Sequence, residues 1–146
     1  MMISTRGRYA LRVMIELAEQ GREGYVSMKS VAERQDISLK YLEKILPDLV
    51  KARFIEGVHG KGGGYRLTRK PEAYRVGDIL RLTEGDLAPV ACLECTAEPC
   101  KRAADCRTVP VWKELNLLIN RYLDSVTLAD LMKPEDTPID PPQATE

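Results

Sequence analysis

Along the first fifty residues, apolar positions recur every three or four, the spacing of one face of an α-helix. Ala10, Val13, Met14, Leu17 and Ala18 predict a first helix from about Thr5 to Gln20, which Gly21 stops. Ser27 is placed to cap a short helix carrying Val31 and Ala32. After the Gln35-Asp36-Ile37 turn, Ser38 is placed to cap a third, with Tyr41, Leu42, Ile45, Leu46 and Leu49 on its apolar face. Pro47 falls inside that pattern and is expected to kink or interrupt the helix, because proline lacks a backbone donor and crowds the preceding turn. Two helices joined by a tight turn, the second with Ser38, Lys40, Tyr41 and Glu43 on its early turns, read as a helix-turn-helix.

The pattern then changes. Phe54–Val58 and Tyr65–Leu67 are strand candidates on either side of His59-Gly60-Lys61-Gly62-Gly63-Gly64, where glycine permits positive φ. A glycine-rich hairpin directly after a helix-turn-helix reads as a wing. It is not a nucleotide cradle. Gly62 follows Lys61 where a phosphate loop needs Ser or Thr, and Tyr65 fills the slot of the third glycine in the dinucleotide pattern. A short helix is expected near Val76 to Leu82, and Gly85 to Pro89 leads into a cysteine-rich loop. Beyond it Trp112, Leu115, Ile119, Tyr122 and Val126 alternate spacings of three and four, a heptad-like stripe on a helix of about twenty residues. We read this stripe as a homodimer seam. Thr127 to Met132 adds a last helical turn, and the proline-rich tail is expected to be disordered. The fold class is therefore mainly α with a small β-wing. Residues 1–85 form the winged helix-turn-helix domain, 86–108 the cysteine loop, 109–132 the dimerisation helix and short terminal helix, and 133–146 the tail.

Composition narrows the function. The chain has 146 residues, 44% of them hydrophobic, enough for the core of one domain. No apolar run has the length of a membrane span, and the first residues lack the apolar stretch of a secretory signal, so a cytoplasmic location is expected. Six Tyr, one Trp and one Phe are few rings for a platform that stacks single-stranded bases. The net charge of zero conceals an asymmetry: residues 1–70 hold 14 Lys and Arg against 8 Asp and Glu. The remaining residues therefore hold 8 against 14, from totals of 22 each. A basic half joined to an acidic half points to a duplex-binding part and a part with another task. Arg6, Arg8 and Lys29 are candidate phosphate clamps, and His59 and Lys61 are candidate wing contacts to a minor groove. Glu43 suits a cytosine amino group better than a phosphate. No paired acids and no nucleophile–base set suggest an enzyme.

All four cysteines, Cys92, Cys95, Cys100 and Cys106, lie within fifteen residues. In a reducing compartment such a group favours a metal, an iron–sulfur cluster or a redox-active thiol over a structural disulfide. Thiolates this close would repel without a cation, and Lys101, Arg102 and Arg107 favour the thiolate form.

Five separated motifs resemble the Rrf-type bacterial winged-helix regulators. They are Ser4 to Arg12, Ile37 to Glu43, Gly60 to Tyr65, Val76 to Ile79 and Val126 to Leu131. Within that group the likeness is greatest to the iron–sulfur cluster branch, the IscR type. The resemblance implies a dimeric regulator that binds a duplex operator and carries an iron–sulfur cluster, 2Fe–2S or 4Fe–4S, beside its dimerisation helix. It places Lys40 where relatives often have a small hydroxyl residue and His59 where they commonly have arginine. The cluster branch spaces three cysteines by five residues and adds a histidine three further on. Here only Cys100 and Cys106 keep the gap, seven residues separate Cys92 from Cys100, and Val109 stands in the histidine's place. Nitric-oxide-sensing relatives take an aspartate from the first helix, where this chain has Arg8. Cys95 is the replacement expected, making all four cysteines ligands. The alternative is a repressor of the cysteine-metabolism type, controlled by thiol redox or by a partner protein, without a cluster.

Overall fold

The computed structural model describes residues 1–21, 24–134; the expected disordered tail lies outside the described residues from position 135. In chain order the elements are α1 (Thr5–Gln20), α2 (Met28–Gln35), α3 (Leu39–Lys51), β1 (Ile55–Val58), β2 (Gly64–Leu67), α4 (Val76–Glu84), α5 (Val109–Ser125) and α6 (Leu128–Leu131). Three serine caps fall at helix starts. Ser4, Ser27 and Ser38 each accept, through the hydroxyl, the amide three residues on, which satisfies a donor the first turn leaves open. Pro47 does not interrupt α3, contrary to the sequence expectation. It sits on the exposed side, so the Glu43 carbonyl it leaves without an amide partner faces solvent.

One core joins the inner faces of α1, α2 and α3 to Ile55, Tyr74, Ile79 and Leu128. Two buried polar side chains hold it in register. Glu16 accepts from Arg34 Nη1 at 3.0 Å and from Gln35 Nε2 at 2.8 Å, fixing α1 against the end of α2. Tyr74 donates its hydroxyl to the Phe54 carbonyl at 2.7 Å and accepts from the amides of Thr68 and Arg69, anchoring the wing's base. Both side chains are polar at buried positions, which the apolar periodicity does not mark.

The wing is an antiparallel pair with Ile55 opposite Leu67 and Val58 opposite Gly64. Val26 extends it through two bonds with Tyr65, at 2.8 and 2.9 Å. That approach requires Gly64, whose φ is +155°, because a side chain there would overlap the Val26 carbonyl.

A second apolar cluster, Val76, Leu80, Leu87 and Val126, seats the end of α5 on α4. Arg81 reinforces it, donating to Asn120 Oδ1 at 2.9 Å and to Asp124 Oδ1 at 2.6 Å. Glu84 then ties α4 to the start of α1 by accepting from the Ser4 amide and hydroxyl and from the Gly7 amide. A continuous set of side-chain contacts thus links α5 through α4 to α1.

α6 is closed by a capping box between Thr127 and Asp130. The Lys133 ammonium, 2.7 Å away, and then the Thr127 amide and hydroxyl hold the Asp130 carboxyl down from 3.8 to about 2. Because the folded pKa lies below the unfolded one, this stabilisation is complete above about pH 4 and disappears as pH falls through about 2. Urea unfolding is expected to show that loss in the parent protein and not in Asp130→Asn.

Candidate nucleic-acid interface and thiol loop

The outward face of α3 begins with Leu39, Lys40, Glu43 and Lys44, all exposed. Two of the sequence candidates, Ser38 and Tyr41, also have roles within the fold. Ser38 spends its hydroxyl oxygen on the Tyr41 amide at 3.2 Å, and the Tyr41 ring packs edge-on against Tyr9 with centroids 5.2 Å apart. Lys40 and Glu43 are presented to solvent as expected. Leu39 and Lys44 join them, and neither was singled out from sequence; outward phase on the helix was the signal available.

The wing tip is a tight turn closed by the Gly63 amide donating to the Gly60 carbonyl at 3.0 Å. Gly60 at φ +100° and Gly62 at φ +76° supply its left-handed corners. Lys61 lies at its apex with His59 beside it, both exposed. Arg8 and Lys29, near the starts of α1 and α2, are also exposed. Arg6 is placed differently from the sequence expectation. Its guanidinium pairs with Asp48 of α3 and its Nε is buried, so this half-exposed side chain braces α1 against α3.

The loop from Asp86 to Thr108 carries the thiols. Its backbone bonds from Glu94 to Val109 close local turns, for example Ala103 to Cys100 and Asp105 to Arg102. Asp86 supplies the cross-link, accepting from the Ala88 and Cys95 amides, each at 2.7 Å. The Cys95 amide is the chief cause of the lowered Asp86 pKa. In turn a hydrogen bond to the Asp86 carboxylate pushes the Cys95 thiol up, keeping it protonated. Cys106 behaves oppositely. The Thr108 hydroxyl, 3.4 Å away, and the Thr108 and Val109 amides at the start of α5 favour its thiolate.

Cys92, Cys95 and Cys100 are exposed and Cys106 is partly covered. Among the described residues no three His, Cys, Asp or Glu side chains converge as a metal-binding group. The donor set nonetheless suits a sulfur-ligated group: four accessible thiols on one loop, the last favouring the thiolate, with no disulfide among them. The described structure brings no three of these thiols together, and the Cys95 amide is tied to Asp86.

The loop feeds directly into α5, along which no residue is buried. At about 100° per residue its exposed apolar line runs through Val111, Leu115, Leu118 and Tyr122, with spacings of four, three and four. This corrects the register read from sequence. Leu115 and Tyr122 stay in the line, Trp112 and Ile119 lie on its flank, and Val126, 3% exposed, belongs to the contact with α4.

Three helices, a helix-turn-helix with its outward face charged, and a glycine-cornered wing define a winged helix-turn-helix DNA-binding protein. Comparison with known proteins agrees. The chain belongs to the Rrf2 family, described as iron-dependent transcriptional regulators, which it matches over residues 3–134. The protein rrf2 of Nitratidesulfovibrio vulgaris is 43% identical, over 91% of this chain and 88% of its own. The structure of CymR (YrzC), the global cysteine regulator of B. subtilis, superposes with a TM-score of 0.74 at 40% identity, covering 90% of this chain and 96% of that one. That of T. potens IscR gives 0.71 at 38% identity, covering 90% and 86%. The family is one of transcriptional regulators, not of enzymes, and no helix among the described residues is long and apolar enough to cross a membrane.

Proposed function

We propose that two copies of this chain pair through α5 and grip a duplex operator, and that the thiol loop sets the strength of the grip by holding an iron–sulfur cluster. The carrying observation is continuity: the loop ends where an unburied apolar helix begins, and that helix is fastened by Arg81 to the reading domain. Lys40 and Glu43 face base edges, with Glu43 accepting from a cytosine amino group. Lys61 and His59 enter the adjacent minor groove, and Arg8, Lys29 and Lys44 meet phosphates.

Cys92, Cys100 and Cys106 would hold the cluster. Cys95 becomes a fourth ligand by turning its thiol away from Asp86, while its backbone amide can keep the cross-link to that carboxylate. A bound cluster supplies an oxidisable, oxygen- and nitric-oxide-sensitive group at this position. The chain's own residues do the rest. A change in the loop alters where α5 starts, Arg81 carries it to α4, and Glu84 carries it to α1. Control arises only from a difference in affinity for two arrangements of the paired domains.

A second reading, a thiol switch without metal, is favoured by the contacts of Cys106 with Thr108 and the start of α5, which lower its pKa. Iron and acid-labile sulfide analysis after oxygen-free purification separates the two. A brown protein with both elements supports the cluster; a colourless protein that still responds to peroxide supports the switch. Operator affinity is also expected to fall steeply with salt, log K against log salt sloping by roughly −0.9 per phosphate neutralised. A slope near zero would remove Arg8, Lys29, Lys44 and Lys61 from the interface.

A further inference from the structure

Leu39 is the first residue of α3, 42% exposed and outside both apolar clusters. An exposed leucine is unremarkable in itself. Its neighbours give this one meaning. The other apolar side chains in the helix's first two turns, Leu42, Ile45 and Leu46, are buried, while Ser38 and Tyr41 are occupied within the fold. The outward first turn therefore offers one apolar side chain beside Glu43, with Lys40 further round the helix. In the major groove the base edges present one apolar group, the C5 methyl of thymine.

We propose that Leu39 is a specificity residue that packs on a thymine methyl, beside the base pair read by Glu43. The inference rests on α3 entering the major groove. Leu39 and Glu43 are one helical turn apart, about 5–6 Å between Cβ atoms. Base steps rise about 3.4 Å, so the thymine lies one or two base pairs from the cytosine that Glu43 contacts. Lys40, about 100° round the helix from Leu39, is directed away from that methyl.

The test begins with an operator selected from a randomised duplex pool using the full-length protein. Each thymine of a half-site is then replaced by deoxyuridine, which removes the methyl and leaves pairing intact. One thymine is expected to weaken binding about fourfold when demethylated, the effect of losing one buried methyl. Leu39→Ala is expected to lose a similar factor on the thymine operator and nothing further on the deoxyuridine one, with an unchanged melting temperature. If no thymine shows a methyl effect, or if Leu39→Ala retains it in full, the assignment is overturned. A pool that yields no enriched sequence overturns groove reading by α3 and Leu39's role with it. Enrichment without methyl dependence overturns only the latter.

Discussion

Leu118→Glu is expected to convert the paired protein into a monomer and to weaken operator binding by about two orders of magnitude. Leu118 is 51% exposed and lies midway along the apolar line of α5, between Leu115 and Tyr122. In a two-fold pairing of such helices the same line from each copy meets itself, so each substitution sets two carboxylates in a dry seam. Removing charge from water without a partner costs several kcal/mol, enough to dissociate a seam of four side chains per copy at micromolar concentration. A single reader keeps one half-site and loses the gain from tethering two. The domain itself should melt unchanged, since Leu118 fills no place in either core cluster. Val126→Ala is the control. Buried against Val76, Leu80 and Leu87, it is expected to cost stability by about 1–2 kcal/mol and leave the dimer intact. Sedimentation velocity and thermal unfolding check both. A dimeric Leu118→Glu protein would refute the seam.

Replacing Cys92, Cys100 and Cys106 together with serine is expected to leave operator binding at one fixed strength, whatever the iron or oxidant supply. All three are exposed or partly covered, so serine leaves no cavity in the core. Only the donor chemistry is lost. Coupling between sites commonly amounts to a factor of about 5–150, and that factor should collapse to one. Cys95→Ser should behave differently, retaining most of the response, because Cys95 is tied by its amide to Asp86, whose carboxylate disfavours the thiolate. Loss of the response in Cys95→Ser alone would show that the Cys95 thiol turns away from Asp86 to become a required ligand.

The helical third of the chain was legible for a simple reason. From α1 to α3 every turn buries the same face against one core, so period and caps agree, and Ser4, Ser27 and Ser38 sit where the pattern starts. Polar side chains that work inside the core leave no such trace, which is why Glu16 and Tyr74 emerge only in three dimensions. Pro47 shows the limit of a local rule: its missing bond falls where water can replace it. In α5 two heptad lines overlap in Leu115 and Tyr122, and periodicity cannot rank them. The fold decides, because α4 claims Val126 and so rotates the free line onto Val111 and Leu118. Arg6 was a clamp by position and a brace by contact, since Asp48 is distant in sequence. In the thiol loop, sequence identified the donors, while the division between Cys95 and Cys106 depends on Asp86 and on the start of α5.

Titration of one duplex operator with the dimer, purified without oxygen and assayed before and after the iron and sulfide are stripped, bears most directly on control by the loop. The expected result is a shift in affinity of at least about fivefold, absent from the triple-serine protein. Equal affinity in the two states, with iron and sulfide verified in the first, would contradict it.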